Sequence, residues 1–169
     1  MKHLVVVTVL VALFIGCGPS AEQLNMIKNL TAEVTNVVND ASGQLGKVDE
    51  IAGMITSSLA QSDTLLTKFP KDADAINGAV NQLKTSNDQL MSVKDKVSSW
   101  ISAFKAPTLE TMKFDEALAS LNKSKEEITG ATGELTSAIS SATSAVESYK
   151  SMASGFMEKL AAMTKKGKK

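Results

Sequence analysis

The side chains able to move protons, attack carbonyls or hold metals are few in this chain, and their positions limit its chemistry. His3 is the only histidine and Cys17 the only cysteine among 169 residues. Nucleophilic catalysis needs a base beside its nucleophile, and a Ser-His or Cys-His pair has no histidine to draw on beyond position 3. Zinc and di-iron centres of familiar type need the same residues. Carboxylates do cluster, at Asp49-Glu50, Asp72/Asp74, Asp115-Glu116 and Glu126-Glu127. Neighbours on a helix point about 100° apart, so these side chains diverge and read as solvated faces. A calcium cage would need a glycine-turned acidic loop, and the sequence holds none. Lys94 and Lys125 fall on apolar seams, where burial can make a lysine reactive, but a seam lysine more often snorkels outward or pairs with an acid. With Asn87 they read as polar seam residues that select one register. The expectation is therefore no enzyme, no metal and no cofactor.

Composition narrows the partners. The formal charge is zero, and loss of Lys2 with a leader would leave 17 lysines against 18 acids, about −1. The chain contains no arginine, the usual bidentate donor to phosphates and bases, so no nucleic acid is expected as a partner. Aromatics make up only 4%, which suits long helices meeting along narrow seams better than a mixed core.

The elements that must carry any function begin with the leader. Met1-Lys2-His3 is a short positive start, and Leu4 to Ile15 is apolar apart from Thr8. Such a run, about 18 Å as a helix, is too short for a hydrocarbon layer of roughly 30 Å, and it has the shape of a signal peptide. It ends at Phe14-Ile15-Gly16-Cys17. These four residues resemble the lipobox of bacterial lipoproteins, with Phe14 standing where that family prefers Leu, Val or Ile. The resemblance implies cleavage between Gly16 and Cys17, a diacylglyceryl group on the Cys17 sulfur, and fatty acyl chains of the palmitate type holding the protein to a membrane. Gly18, not Asp, follows the cysteine, which in double-membraned bacteria resembles cargo sent to the outer membrane. The domain reading is a removed signal over 1–16, a lipid anchor and linker over 17–20, a helical bundle over 21–164 and a basic tail over 165–169.

Ser20-Ala21-Glu22-Gln23 reads as a capping box that starts a first helix. Its seam runs through Leu24, Ile27, Thr31, Val34, Val38, Ala41, Leu45, Val48, Ala52, Ile55, Leu59, Ser62, Leu66 and Phe69 in alternating steps of three and four. Pro70 predicts a turn, with a kinked continuous helix as the alternative. A second seam follows through Ala73, Ile76, Val80, Leu83, Asn87, Leu90, Lys94, Val97, Ile101 and Phe104. Pro107 breaks it, with Thr108 and Glu110 read as cap and dipole partner of the next helix. The third seam is the most regular: Phe114, Leu118, Leu121, Lys125, Ile128, Thr132, Leu135, Ile139, Ala142, Val146, Tyr149, Ala153, Phe156, Leu160 and Met163. The expected fold is all-α, a long antiparallel three-helix bundle or coiled coil with helices at about 21–68, 72–105 and 109–164. Its first and third helices would lie side by side. Ala41-Ser42-Gly43-Gln44-Leu45 and Ala131-Thr132-Gly133-Glu134-Leu135 resemble each other and are expected near one height, with their glycines as soft or closely packed levels.

Two surface features are candidate contacts. Lys165, Lys166, Lys168 and Lys169 form a basic tail that either answers the helix dipole or meets an anionic surface. Trp100, Ile101, Phe104, Leu109, Met112 and Phe114 form an apolar cluster expected near the lipidated end, where Trp100 either closes the bundle or meets a membrane interface. In plan the chain resembles the murein lipoproteins, which combine a lipobox, a heptad helix and a terminal lysine joined to peptidoglycan. That resemblance implies Lys169 as the matching attachment point, although this chain is broken by Pro70 and Pro107 and lacks the Tyr-Arg that precedes the family's lysine. The expected role is a lipid-anchored, non-enzymatic scaffold or spacer of the cell envelope. Its partners would be the membrane, an envelope protein or peptidoglycan, or another copy of itself. The alternative is a helical binding module for an apolar ligand or partner helix.

Overall fold

A computed structural model of the chain describes residues 19–107, 109 and 112–166, and for 164–166 the backbone alone. It is an all-α bundle of α1 (Ala21–Lys68), a 3-10 turn (Pro70–Asp72), α2 (Ala73–Ala103) and α3 (Phe114–Lys166). At about 1.5 Å per residue the three helices run roughly 72, 46 and 80 Å.

The capping box forms as its residues require. The Ser20 hydroxyl accepts the Gln23 N–H at 3.2 Å, and the Ser20 N–H donates to Gln23 Oε1 at 2.8 Å. At the other end the Phe69 N–H closes α1 on the Leu65 carbonyl at 2.8 Å. Pro70 then opens the 3-10 turn, where its missing N–H and fixed φ cost nothing. The break at Pro70 is thus a turn and not a kink.

Contacts between helices set the register. Lys125 reaches Glu33 and Thr136 reaches Gln44, each across 92 residues of sequence, so α1 and α3 run parallel. By the second pair the two similar Gly-containing segments lie side by side. On α2, Lys94 meets Asp49, Lys96 meets Glu134, and Trp100 meets Glu127, so that helix runs the opposite way between them. One ion pair clasps each pair of helices. Such exposed pairs add well under about 1 kcal/mol each and act mainly on register.

Two boundaries differ from expectation. α2 ends at Ala103 and α3 starts only at Phe114, whereas the sequence suggested 105 and 109. Pro107 disfavours helical geometry at Ala106, and the chain has already left the helix two residues sooner, Phe104 being extended at φ −65° and ψ 126°. Asp115 and Glu116 supply the acidic first turn of α3; Thr108 and Glu110 lie outside the described residues. Because Trp100 stands level with Glu127, thirteen residues into α3, the α2 end lies about 20 Å from the start of α3. The lower bundle is therefore a two-helix stretch, down which the link returns with Phe104 and Leu109 packed on the core.

The seams follow that architecture. Buried α1 residues are Ile27, Thr31, Val34, Val38, Ala41 and Val48, then Ile51, Ile55, Ser58, Ser62 and Leu65. From Val48 upward the buried positions shift to Ile51, Ser58 and Leu65, while Leu59 and Leu66 stay partly buried against the core. A helix with two neighbours needs a wider apolar stripe than one with a single partner. On α2, Ser86 is buried where Asn87 was expected, and Asn87 and Lys94 stand at the seam's edge. On α3, Ala117, Ala131 and Ala145 join the expected set, whereas Met163 is 62% exposed. Phe156 meets Phe69 at 4.9 Å at the α1–turn corner, and Leu160, one turn on, is the last α3 residue packed on the core.

The helix glycines 43, 46, 53, 78, 130, 133 and 155 are exposed. A methyl group at any of them would meet nothing within 4 Å, so close packing is not why they are glycine.

Candidate functional site

The bundle has two ends, and the expected contact residues fall at both. The lower end holds Ala21 and Phe114, the starts of the parallel pair. Gly16 and Cys17 precede it and lie outside the described residues. The upper end holds the Phe69–Asp72 corner and the last turns of α3. The α3 backbone continues through Lys165 and Lys166; their side chains, and Lys168 and Lys169, lie outside the described residues.

Trp100 lies well up the bundle and not at its lower end, a correction to its expected place. Its indole N–H donates to Glu127 Oε2 at 3.3 Å, and its ring stacks on Phe104 at 5.2 Å and 12°. Both rings are partly buried against the core, so Trp100 caps the place where α2 ends. Glu127 also faces Lys123 at 3.7 Å. A ring so engaged is held by the bundle, and a membrane contact at Trp100 would have to be made from the rod's flank.

The seam lysines behave as paired cations. Lys94 Nζ lies 2.5 Å from Asp49 with its side chain 25% exposed, and Lys125 Nζ lies 2.5 Å from Glu33. Each carries its charge to the rim of an interface and meets an acid on another helix, an arrangement that penalises displaced registers. The adjacent carboxylates take different partners: Asp49 holds Lys94, Glu127 holds Trp100, and Asp115 and Glu116 face the α3 N-terminus. Among the described residues no group of three or more His, Cys, Asp or Glu is placed to hold a metal, and no helix is long and apolar enough to cross a membrane.

A furrow of about 500 Å³ runs between α2 and α3, lined by Gln89, Val93, Gly133, Glu134, Ser137, Ala138 and Ser141. It exists because Gly133 offers no side chain to fill it. Small-molecule pockets enclose most of their ligand; this one is open to water and brings no ionisable pair together.

The one buried polar group left without a partner is on Tyr149, among the described residues. Its side chain is fully buried and its hydroxyl has no hydrogen bond. By contrast, buried Thr132 bonds the Ile128 carbonyl at 2.7 Å and Ser62 the Leu59 carbonyl at 2.6 Å, the local route open to hydroxyls on helices. Burial, and secondarily the Asp63 charge, raise the Tyr149 pKa above its usual 10. The sign follows: the folded state holds this proton longer than the unfolded chain does. The associated stability is complete below about pH 10 and drains as pH climbs through the folded value. Tyr149→Phe is expected to raise stability by about 1 kcal/mol at neutral pH by removing an unpaired hydroxyl. It should also flatten the alkaline decline, which paired urea titrations at pH 7 and above 10 would show. Sequence reasoning placed Tyr149 on the seam but carried no signal that its hydroxyl goes unpaired.

No family model, curated protein or solved structure matches this chain.

Proposed function

We propose that the chain is a lipid-anchored, non-enzymatic protein of the bacterial cell envelope whose helical rod serves as a spacer and docking scaffold. The observation that carries this reading is the separation of its ends. α1 begins at Ala21, four residues after Cys17, and α3, parallel to it, carries the chain to the far end roughly 75 Å away. Acyl chains on Cys17 would hold one end at a bilayer, the outer membrane where there are two, and the other end would project toward an envelope protein or peptidoglycan. Several acyl chains make such attachment stable. Core positions filled mainly by aliphatic residues, with ion pairs at the rims, suit a rod that holds distance and register.

A module for an apolar ligand is less favoured, because the furrow beside Gly133 is open along its length. Feeding cells an alkyne-bearing palmitate tests the anchor. The wild-type protein should take up label and Cys17→Ser should not. An unlabelled wild type, or equal label on Cys17→Ser, would remove the basis of the proposal.

A further inference from the structure

At the upper end of α3 the seam outruns the core: Leu160 is the last seam residue packed on it, and Met163 lies beyond. Phe156 closes on Phe69, and the heptad goes on through Leu160 to Met163. Met163 is 62% exposed and Met157 is 53% exposed, more than the other exposed large hydrophobics of the described residues, Met26 and Met112. Lys159 lies over the Phe156 ring at 5.0 Å, so a cation already borders the apolar stripe. From Met157 onward the sequence holds Lys159, Lys165, Lys166, Lys168 and Lys169 against the single acid Glu158. The whole chain is formally neutral, so this segment, at about +4, stands against about −4 on the rest, and it joins a local excess of positive charge to exposed apolar surface.

We propose that the overhanging end of α3, from Met157 through the basic tail, docks on an anionic lipid surface. Charge complementarity selects that occupant over the same end of a second copy, since two such ends would bring like charges together. The apolar part is made of flexible methionines on an open helix face, not a shaped pocket, and such a face beds into the boundary of a lipid layer without needing a matched partner. Lysines near an anionic membrane each strengthen binding about five-fold. With the lower end at a bilayer through Cys17, the rod would bridge two surfaces or hold two regions of one; this setting rests on the proposed anchor, whereas the docking itself does not.

The test uses the full chain carrying Cys17→Ser, so that lipidation plays no part, and Met157→Cys labelled with an environment-sensitive dye. Vesicles of phosphatidylcholine with 30% phosphatidylglycerol should shift the emission to the blue, more strongly at 50 mM than at 500 mM NaCl, and pure phosphatidylcholine vesicles should not. Insertion of the apolar run at 4–15 would occur in both lipids without reaching the dye. Replacing Lys165, Lys166, Lys168 and Lys169 with Gln should weaken the anionic-vesicle response at least about 100-fold. The proposal is overturned by no shift with anionic vesicles, by an equal shift with pure phosphatidylcholine, or by indifference to the four substitutions. A shift that instead follows protein concentration without vesicles would assign the end to self-association. Failure here would leave the palmitate result untouched.

Discussion

Replacing all seven exposed helix glycines, at 43, 46, 53, 78, 130, 133 and 155, with alanine is expected to stabilise the protein by about 4–7 kcal/mol. Each glycine in a helix interior costs roughly 0.5–1 kcal/mol relative to alanine, largely through the freedom it gives the unfolded chain. The usual penalty for adding a methyl is absent, since nothing lies within 4 Å of any of the seven positions. For a chain of this size the gain corresponds to a rise in melting temperature of roughly 10–20 °C, readable by circular dichroism. Single substitutions at Gly53, Gly78 and Gly155, which are far apart, should add up; Gly43/Gly46 and Gly130/Gly133 sit one turn apart and are the pairs where coupling would show. A loss of stability at any one position would reveal a contact or bend that the exposed geometry of these sites does not contain.

The second large effect separates the upper bundle from the lower. Leu135 is fully buried in the three-helix part, between Gln44 on α1 and the α2 residues near Lys96. Leu135→Ala should cost about 3–4 kcal/mol, combining lost transfer energy with a cavity that three packed helices cannot close. Leu118 occupies the same kind of seam position below the end of α2, where it is only partly buried. Leu118→Ala should cost about 1–2 kcal/mol, because less surface leaves water and two helices with a link can collapse on the gap. Urea denaturation of the two variants side by side provides the comparison. Equal losses would mean that a third helix also covers the lower stretch, contrary to the end of α2 at Ala103.

Much of this architecture was legible in the residues because heptad periodicity reports directly on burial. Ile27 to Ala41, Ile76 to Leu83 and Leu121 to Tyr149 lie on the seams that their spacing indicates, and Pro70 and the Ser20 box mark their boundaries. What a local pattern cannot report is where a neighbouring helix begins or stops. The burial of Ile51, and not Ala52, reflects how α1 turns its face between two neighbouring helices, and the exposure of Met163 reflects the end of α1 below it. The start of α3 differs from its expected place because Thr108 and Glu110 form a cap-like pattern close to Pro107. Asp115-Glu116 is the solvated face its spacing indicates and also supplies the acidic first turn of the helix. Trp100 is expected at the lower end because three helices with short links run up, down and up; what that topology does not show is how far above the start of α3 the shorter α2 stops.

The candidate contacts were legible in another way. The tail lysines and Cys17 stand out as residue types, and the fold adds that the nearest described ends, Ala21 of α1 and Lys166 of α3, lie at opposite ends of the bundle. The exposed methionines beside the tail gained meaning only from the register of α3 against Phe69. Without that register Met163 is one more seam residue.

Intact mass spectrometry of the native protein, purified from its own membranes, tests the lipid-anchored rod most directly. The expected mass is that of the chain from Cys17 onward plus a diacylglyceryl group, with or without an amide-linked fatty acid. A chain still carrying residues 1–16, or one that begins elsewhere with no added lipid, would contradict it.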